Sequence, residues 1–240
     1  MSSGVTECWG ANDLRQIGSD LATRPAEFAP IRVDVRIGRA NSAPLAIGRS
    51  HVCAYSGGGP TGGIACWGNN AHGQTGQPLT MAMVNTPTAV AGPELSGVVQ
   101  VVAGESSTCA LLADRRVLCW GGNASGQLGR GTVADTSDPT PQPVLMLPDA
   151  QRLVASLDGV CALRTDQTVW CWGAAALLGD GSSSPRGTPG PVPGLTGVSE
   201  IVGAGPFCAI MGNNRADVRC WGPNPGDGTA YSATPVAVQW

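Results

Sequence analysis

The residues with the most chemistry to offer are nine cysteines, and eight of them are regularly placed. They form four local pairs: Cys53 with Cys66, Cys109 with Cys119, Cys161 with Cys171, and Cys208 with Cys220. Cys8 has no such neighbour. Each pair brackets two short apolar runs joined by turn residues, which is the pattern of a β-hairpin. The clearest runs Cys109-Ala110-Leu111-Leu112, then Ala113-Asp114-Arg115-Arg116, then Val117-Leu118-Cys119. Two cysteines directly opposite at a non-hydrogen-bonded site of a hairpin have close to the Cα and Cβ separations that a disulfide needs. Closing a loop of this size contributes roughly 2–3 kcal/mol in the chain-entropy account. Three other uses compete. A zinc site wants closely spaced Cys-x2-4-Cys knuckles or nearby histidines, and neither pattern occurs. A catalytic thiol is usually single and paired with a histidine. Reduced thiols packed as small core residues remain the realistic rival. The disulfide reading implies an oxidising compartment: periplasm, cell surface or the extracellular space.

The other candidates for chemistry are sparse. His51 lies two residues before Cys53, and His72 lies in a Gly-rich turn; no Asp or Glu completes a triad with either. Asp114, Asp166, Asp180 and Asp227 fall in turn-like stretches, where Asp is favoured by side-chain to backbone hydrogen bonds rather than by acid–base work. There is no EF-hand loop, nucleotide-binding Gly-rich motif or Gly-x-Ser-x-Gly elbow. The reading is therefore no catalytic residue, no metal and no cofactor. Asn123-Ala124-Ser125 is a formal glycosylation sequon inside a turn motif and is read as coincidental. Trp9, Trp67, Trp120, Trp172 and Trp221 each follow a cysteine and precede a glycine, which marks them as repeated packing residues. Trp170 and Trp240 break that register and are the better candidates for aromatic contact with a partner.

The elements that position these residues can be inferred from composition. Gly (35) and Pro (19) make up more than a fifth of the 240 residues, while apolar residues hold at 42%. Many short strands joined by tight turns fit that balance; helical bundles do not. All fourteen basic side chains are arginine, scattered except for Arg115-Arg116, and the net charge is −3. That excludes a P-loop or Schiff-base lysine and gives no basic stripe for nucleic acid. No apolar run reaches the length of a membrane-spanning helix, so no membrane insertion is expected. The segment before Cys8 lacks the regions of a signal peptide.

Cys-Trp-Gly recurs at Cys8, Cys66, Cys119, Cys171 and Cys220, with spacings of 58, 53, 52 and 49 by subtraction. A Cys-Ala-Leu-like run precedes four of the copies, and a Gly/Asn-rich turn and a Pro-rich linker follow. A short strand signal (Pro143-Val144, Pro191-Val192, Pro235-Val236) and a β-branched run such as Val98–Val102 complete the unit. Each unit thus predicts four short strands, and such sheets bury both faces only by stacking around an axis. The units are counted as approximately 8–65, 66–118, 119–170, 171–219 and a partial 220–240, within a single domain 1–240.

These motifs resemble the RCC1-like repeat, whose pattern is a Cys-Ala-Leu strand, a polar turn, Val-x-Cys-Trp-Gly and Asn-x-x-Gly-Gln-Leu-Gly-x-Gly-Thr. Cys109 to Thr132 follows it almost position for position, the second unit keeps Gly68 to Gly76, and the last two degrade around Gly179-Asp180-Gly181 and Gly226-Asp227-Gly228. The resemblance implies an all-β RCC1-like β-propeller, here an incomplete ring of about four to five four-stranded blades. Family members are typically seven-bladed, on the order of 350 residues at this repeat length. A portion of a longer propeller is therefore expected, and a smaller closed ring is the alternative. The paired cysteines are most like those of bacterial extracellular members. That likeness implies a non-catalytic scaffold, secreted or on the cell surface, that binds a protein partner through blade loops. One version is a secreted enzyme inhibitor, since the family includes a β-lactamase inhibitor. The alternative is regulation of a small GTPase, as eukaryotic relatives exchange nucleotide and contact chromatin. Paired cysteines and the absence of lysine argue against that alternative, and glycoside hydrolysis lacks its cluster of acids.

Overall fold

The computed structural model describes residues 6–18, 26–33, 45–56, 63–92, 95–203, 205–212 and 217–238. They form eighteen short β-strands, and among them the one helical segment is a 3-10 turn at Ala175–Leu177. β1 (Thr6–Ala11) and β2 (Ala26–Val33) make a two-stranded sheet. Four four-stranded antiparallel sheets follow, each pairing its strands in chain order. The first holds β3 (Leu45–Ile47), β4 (His51–Ser56), β5 (Gly63–Asn69) and β6 (Met83–Ala89). The second holds β7 (Val98–Ala103), β8 (Ser107–Leu112), β9 (Val117–Gly122) and β10 (Ser137–Pro143). The third holds β11 (Ala150–Ser156), β12 (Gly159–Arg164), β13 (Val169–Gly173) and β14 (Arg186–Pro191). The fourth holds β15 (Val198–Gly203), β16 (Phe207–Met211), β17 (Val218–Pro223) and β18 (Tyr231–Ala237).

The expected four-strand unit is present, but its phase differs from a count starting at Cys-Trp-Gly. That motif lies on the third strand of each sheet, so the β-branched run opens a sheet instead of closing one. The Pro-rich segments are not linkers either: they are the edge strands β6, β10, β14 and β18 themselves. Proline lacks an N–H donor, and an edge strand needs to donate on one side only, so Pro87, Pro139, Pro141, Pro189 and Pro235 are tolerated there. They also blunt the edge against unwanted pairing.

Cys-Trp-Gly folds as a β-bulge. The pairing register shifts across the tryptophan between Cys66 and Gly68, between Cys171 and Gly173, and between Cys220 and Gly222. The glycine is obligatory: Gly173 has φ +103°, and a Cβ there would lie 2.2 Å from the Asp158 carbonyl oxygen. The bulge turns the indole out of the ladder and into the core. The cysteine before it faces its partner on the second strand, Cys53 opposite Cys66, Cys161 opposite Cys171 and Cys208 opposite Cys220. All four expected disulfides are present, with Cα–Cα separations of 4.0–4.1 Å.

The chain divides into two compact units. The first comprises residues 1–114 with 118–122 and 137–142; the second comprises 115–117, 123–136 and 143–240. Within the first, Cys53, Cys66, Ile64, Val98, Val101, Ala110, Leu118 and Trp120 form one core, while Val33, Val52, Ala54, Trp67 and Val84 form another. Within the second, Cys161, Cys171, Leu163, Val198, Ile201, Phe207 and Trp221 pack together, with the Phe207 and Trp221 ring centroids 6.0 Å apart.

The buried indoles do more than fill space. Trp67 Nε1 donates to Gln16 O at 2.9 Å, Trp120 to Gln74 O at 3.1 Å, Trp172 to Gln127 O at 2.9 Å, and Trp221 to Leu177 O at 3.0 Å. Every acceptor lies in the turn that follows the previous Cys-Trp-Gly. Three of those turns share the pattern Asn-x3-Gln-x-Gly: Asn12 to Gly18, Asn70 to Gly76 and Asn123 to Gly129. The Asn Oδ1 accepts the N–H of Ile17, Thr75 or Leu128 at 3.1–3.2 Å. The Gln Oε1 accepts that of Leu14, His72 or Ser125 at 2.8–2.9 Å. The closing glycine lies against the next indole; a Cβ on Gly129 (φ +68°) would lie 3.1 Å from Trp172 Nε1. In the fourth turn, shorter by two residues, the 3-10 turn puts Leu177 in the place of the Gln. The first of these turns, Asn12 to Gly18, is legible in the sequence only through that Asn, Gln and Gly spacing.

Two outcomes test this framework. Alkylation of the folded, unreduced chain should label Cys8 alone, and mass spectrometry finding four or more free thiols would contradict the pairing. Trp172→Phe should cost about 1–3 kcal/mol in denaturant unfolding, because it removes a buried hydrogen bond to the Gln127 carbonyl. Trp120→Phe leaves the Gln74 carbonyl its other donor, Thr108 Oγ1 at 2.7 Å, and should still unfold in one cooperative transition.

Candidate functional site

Exposed apolar side chains in the other described connections stand singly or in pairs, as Val133 between β9 and β10, Leu157 between β11 and β12, and Leu145 with Met146 between β10 and β11 do. The β5–β6 connection, residues 70–82 in the first unit, differs: it and the start of β6 expose Leu79 (47%), Met81 (44%) and Met83 (43%) to solvent. Three large apolar side chains within five residues are an unusual surface for a loop. The backbone beneath them is held firmly by one buried side chain, Asn70. Its Nδ2 donates to the carbonyls of Gln77 at 3.1 Å, Pro78 at 3.2 Å and Met81 at 2.7 Å. Its Oδ1 accepts both the backbone N–H and the hydroxyl of Thr75, and its own N–H reaches Ala82 O at 2.8 Å. The loop is thereby pre-organised, which lowers the ordering cost of a contact made through it. Thioethers suit such a surface because they are flexible and polarizable. Sequence reasoning missed this site; the signal available was apolar Leu79, Met81 and Met83 in a stretch otherwise composed of turn residues.

The same loop is fastened through Gln74. Its carbonyl accepts from Trp120 Nε1 and from Thr108 Oγ1. Because Thr108 gives its hydroxyl proton to Gln74, it accepts from His51 Nε2 at 2.8 Å, which fixes the tautomer with the proton on Nε2. His51 is fully buried, its Nδ1 has no hydrogen-bond partner, and burial pushes its pKa from 6.5 down to about 4. His72, by contrast, is exposed on the loop itself, with Nδ1 3.4 Å from Ser137 Oγ.

The acids read as turn residues behave as such. Thr168 hydrogen-bonds Asp166 through its hydroxyl and its N–H and holds that carboxyl below the usual range, and Thr229 does the same to Asp227. Burial pushes Asp180 upward, but Ser182 and the Arg186 guanidinium outweigh it and leave it lowered. Arg186 also donates to the carbonyls of Cys171 and Gly190, tying the turn to its sheet. Asp114 is exposed in the β8–β9 turn. Asn123 of the sequon is buried, with Nδ2 donating to Thr132, so its amide nitrogen serves the turn.

One packing assignment needs correcting. Trp67, Trp120, Trp172 and Trp221 are fully buried, but Trp9 is 64% exposed. Each buried indole is covered by the turn of a preceding unit, and among the described residues no such turn precedes Trp9. Cys8 beside it is unpaired and half-buried, and burial raises its thiol pKa. Trp170 is half-buried on β13 beneath the Arg164 guanidinium, 5.0 Å from the ring centroid, and Arg164 is paired in turn with Asp166 at 2.7 Å. Trp240 lies outside the described residues. Among those described, no group of three or more His, Cys, Asp or Glu is placed to hold a metal, and no helix is long and apolar enough to cross a membrane.

Repeated four-stranded antiparallel meanders of this kind are the blades of the β-propeller class. Residues 61–111 and 114–163 match the Regulator of chromosome condensation (RCC1) repeat, and residues 98–127 match a second description of it. The chain belongs to the RCC1-like repeat family, and its fold is the all-β RCC1-like propeller. It superposes on human WBSCR16 with a TM-score of 0.83 at 21% identity, covering 100% of this chain and 63% of that one. For Prp20p of Saccharomyces cerevisiae the TM-score is 0.78 at 18% identity, covering 99% and 59%. In sequence it is 30% identical over 169 residues to the human E3 ubiquitin-protein ligase HERC2, 68% of this chain but 4% of that protein. It is 31% identical over 136 residues to the ultraviolet-B receptor UVR8 of Arabidopsis thaliana, 52% of this chain and 29% of the receptor.

Asn70→Ala should release the loop. The expected loss is about 2–3 kcal/mol of stability, since several backbone groups lose a buried partner at once. Hydrogen exchange should localise the change to residues 73–82, and an unchanged exchange pattern there would show that the loop is held by something else.

Proposed function

We propose that this chain is a non-catalytic protein-binding scaffold that works in an oxidising compartment and engages its partner through the Leu79–Met83 loop. The observation that carries the reading is the rigid exposure of Leu79, Met81 and Met83 on a backbone fixed by Asn70. Exposed apolar anchors on a pre-organised loop are what a protein interface uses, while catalysis would call for convergent polar groups with perturbed ionisation. Relatives of the fold bind proteins: Prp20p is described with its binding to Gsp1p and histones, and yeast RCC1 has been seen bound to Kap60. HERC2 is named as a ligase, but this chain spans 4% of it, which gives no reason to move that activity here.

The four disulfides support secretion or surface display, since such bonds persist where the glutathione pool does not reduce them. A secreted enzyme inhibitor is one form of this reading. Regulation of a small GTPase is the second reading, favoured by the structural likeness to Prp20p and opposed by the disulfides.

A photo-crosslinking residue placed at Thr80 in the full chain should capture a protein partner from the compartment in which the chain is found. Leu79→Asp combined with Met81→Asp should abolish capture while leaving all four disulfides intact. Capture that survives the double substitution would move the interface elsewhere. Accelerated nucleotide release from a panel of small GTPases would put the second reading first.

A further inference from the structure

The interaction loop and the buried histidine belong to one hydrogen-bonded chain. His51 Nε2 donates to Thr108 Oγ1, Thr108 donates to Gln74 O, and Gln74 lies within the connection that carries Leu79 and Met81. We propose that His51 is an acid-sensitive latch beneath this loop: the neutral ring holds Thr108 and, through it, Gln74, and the protonated ring lets the loop open. The latch rests on the reading of that loop as the binding surface.

The geometry leaves no place for a second ring proton. Nε2 already carries one, because Thr108 has committed its own proton to Gln74. A second would go on Nδ1, which is buried without a partner and backed by Gly48, where even a Cβ would come within 2.8 Å of it. A charged N–H with no acceptor is among the costlier things a protein interior can contain. The charged and titratable groups on the elements packed against the ring offer no relief. Arg49 and Glu105 are exposed and paired with each other at 2.7 Å, His72 points its Nδ1 towards Ser137, and Tyr55 lies at the far end of β4. The latch occurs once. The positions equivalent to His51 are Ser107, Gly159 and Pro206, and those equivalent to Thr108 are Val52, Val160 and Phe207.

The sign follows from linkage. In the opened state the ring titrates near its ordinary 6.5, and in the closed state near 4, so the opened state binds the proton more readily between those values. The closed state is fully favoured above pH 6.5 and loses its advantage as the pH falls towards 4. The opening constant should rise about 30-fold between pH 7.5 and pH 5.

Hydrogen exchange on the full chain without any partner reads this directly. After correction for the intrinsic pH dependence, the amides of Thr75 and Gly76 should lose about 30-fold of their protection at pH 5. His51→Gln, which can still donate to Thr108, should abolish the pH response. Titration of the unmodified chain by the His51 Cε1–H resonance, which needs no variant, should give a midpoint well below 6.5. A midpoint at or above 6.5, protection unchanged at pH 5, or the same loss in His51→Gln would each overturn the latch. None of these readouts involves a partner, so the latch can fail while crosslinking at Thr80 still succeeds, and the reverse.

Discussion

The structure depends on one repeated interaction, the indole N–H of Cys-Trp-Gly bound to a backbone carbonyl in the preceding unit's turn. A four-stranded sheet of three- to seven-residue strands cannot bury both faces by itself. The indole supplies the missing burial and, through its single donor, fixes where the neighbouring turn must sit. Trp172 shows the coupling: Val160 opposes it across the ladder, Gly129 makes room for its edge, and the Gln127 carbonyl takes its proton. Each of these groups is shaped by a different stretch of sequence, and all three meet at the buried indole.

The disulfides and the bulges serve that interaction from the other side. A cysteine pair across the second and third strands locks the register of the hairpin at the residue before the bulge. The glycine after the bulge lets the chain turn without a Cβ striking the strand beside it. Register in a short sheet is weakly specified when only a few residues on each strand are buried, and one slip would send the indole outward. The staple removes that freedom where it would do most harm. Trp9 lies on the same bulge, and among the described residues no turn covers it and its ring is exposed; the bulge aims the ring, and in the other four copies a neighbouring turn buries it.

The turn is the place where one repeat differs usefully from the next. Its Asn and Gln satisfy the turn's own backbone, so the residues between and after them are free to vary. In the second sheet's neighbour this freedom yields Leu79, Met81 and Met83; in the fourth turn it yields a shorter 3-10 segment that keeps only the carbonyl of Leu177. A scaffold that separates the group holding the repeat together from the groups facing outward can change its partner without changing its fold.

The all-β class, the repeat, the disulfide pairs and the burial of four of the five motif tryptophans were legible in the sequence. Spacing, alternation and hairpin chemistry are local properties that a chain carries openly. The strand content of the Pro-rich stretches was not, because proline looks like a linker until it is known that the strand is an edge and needs donors on one side only. The exposure of Trp9 and the solvent-facing set on the β5–β6 loop were also hidden. Both depend on what covers a residue, and cover comes from segments distant in sequence. His51 shows this most fully. In the sequence it is an isolated histidine two residues before a cysteine; its tautomer, its bare Nδ1 and its lowered pKa are set by Thr108 and Gln74, which only the packing of one sheet against the next brings to it.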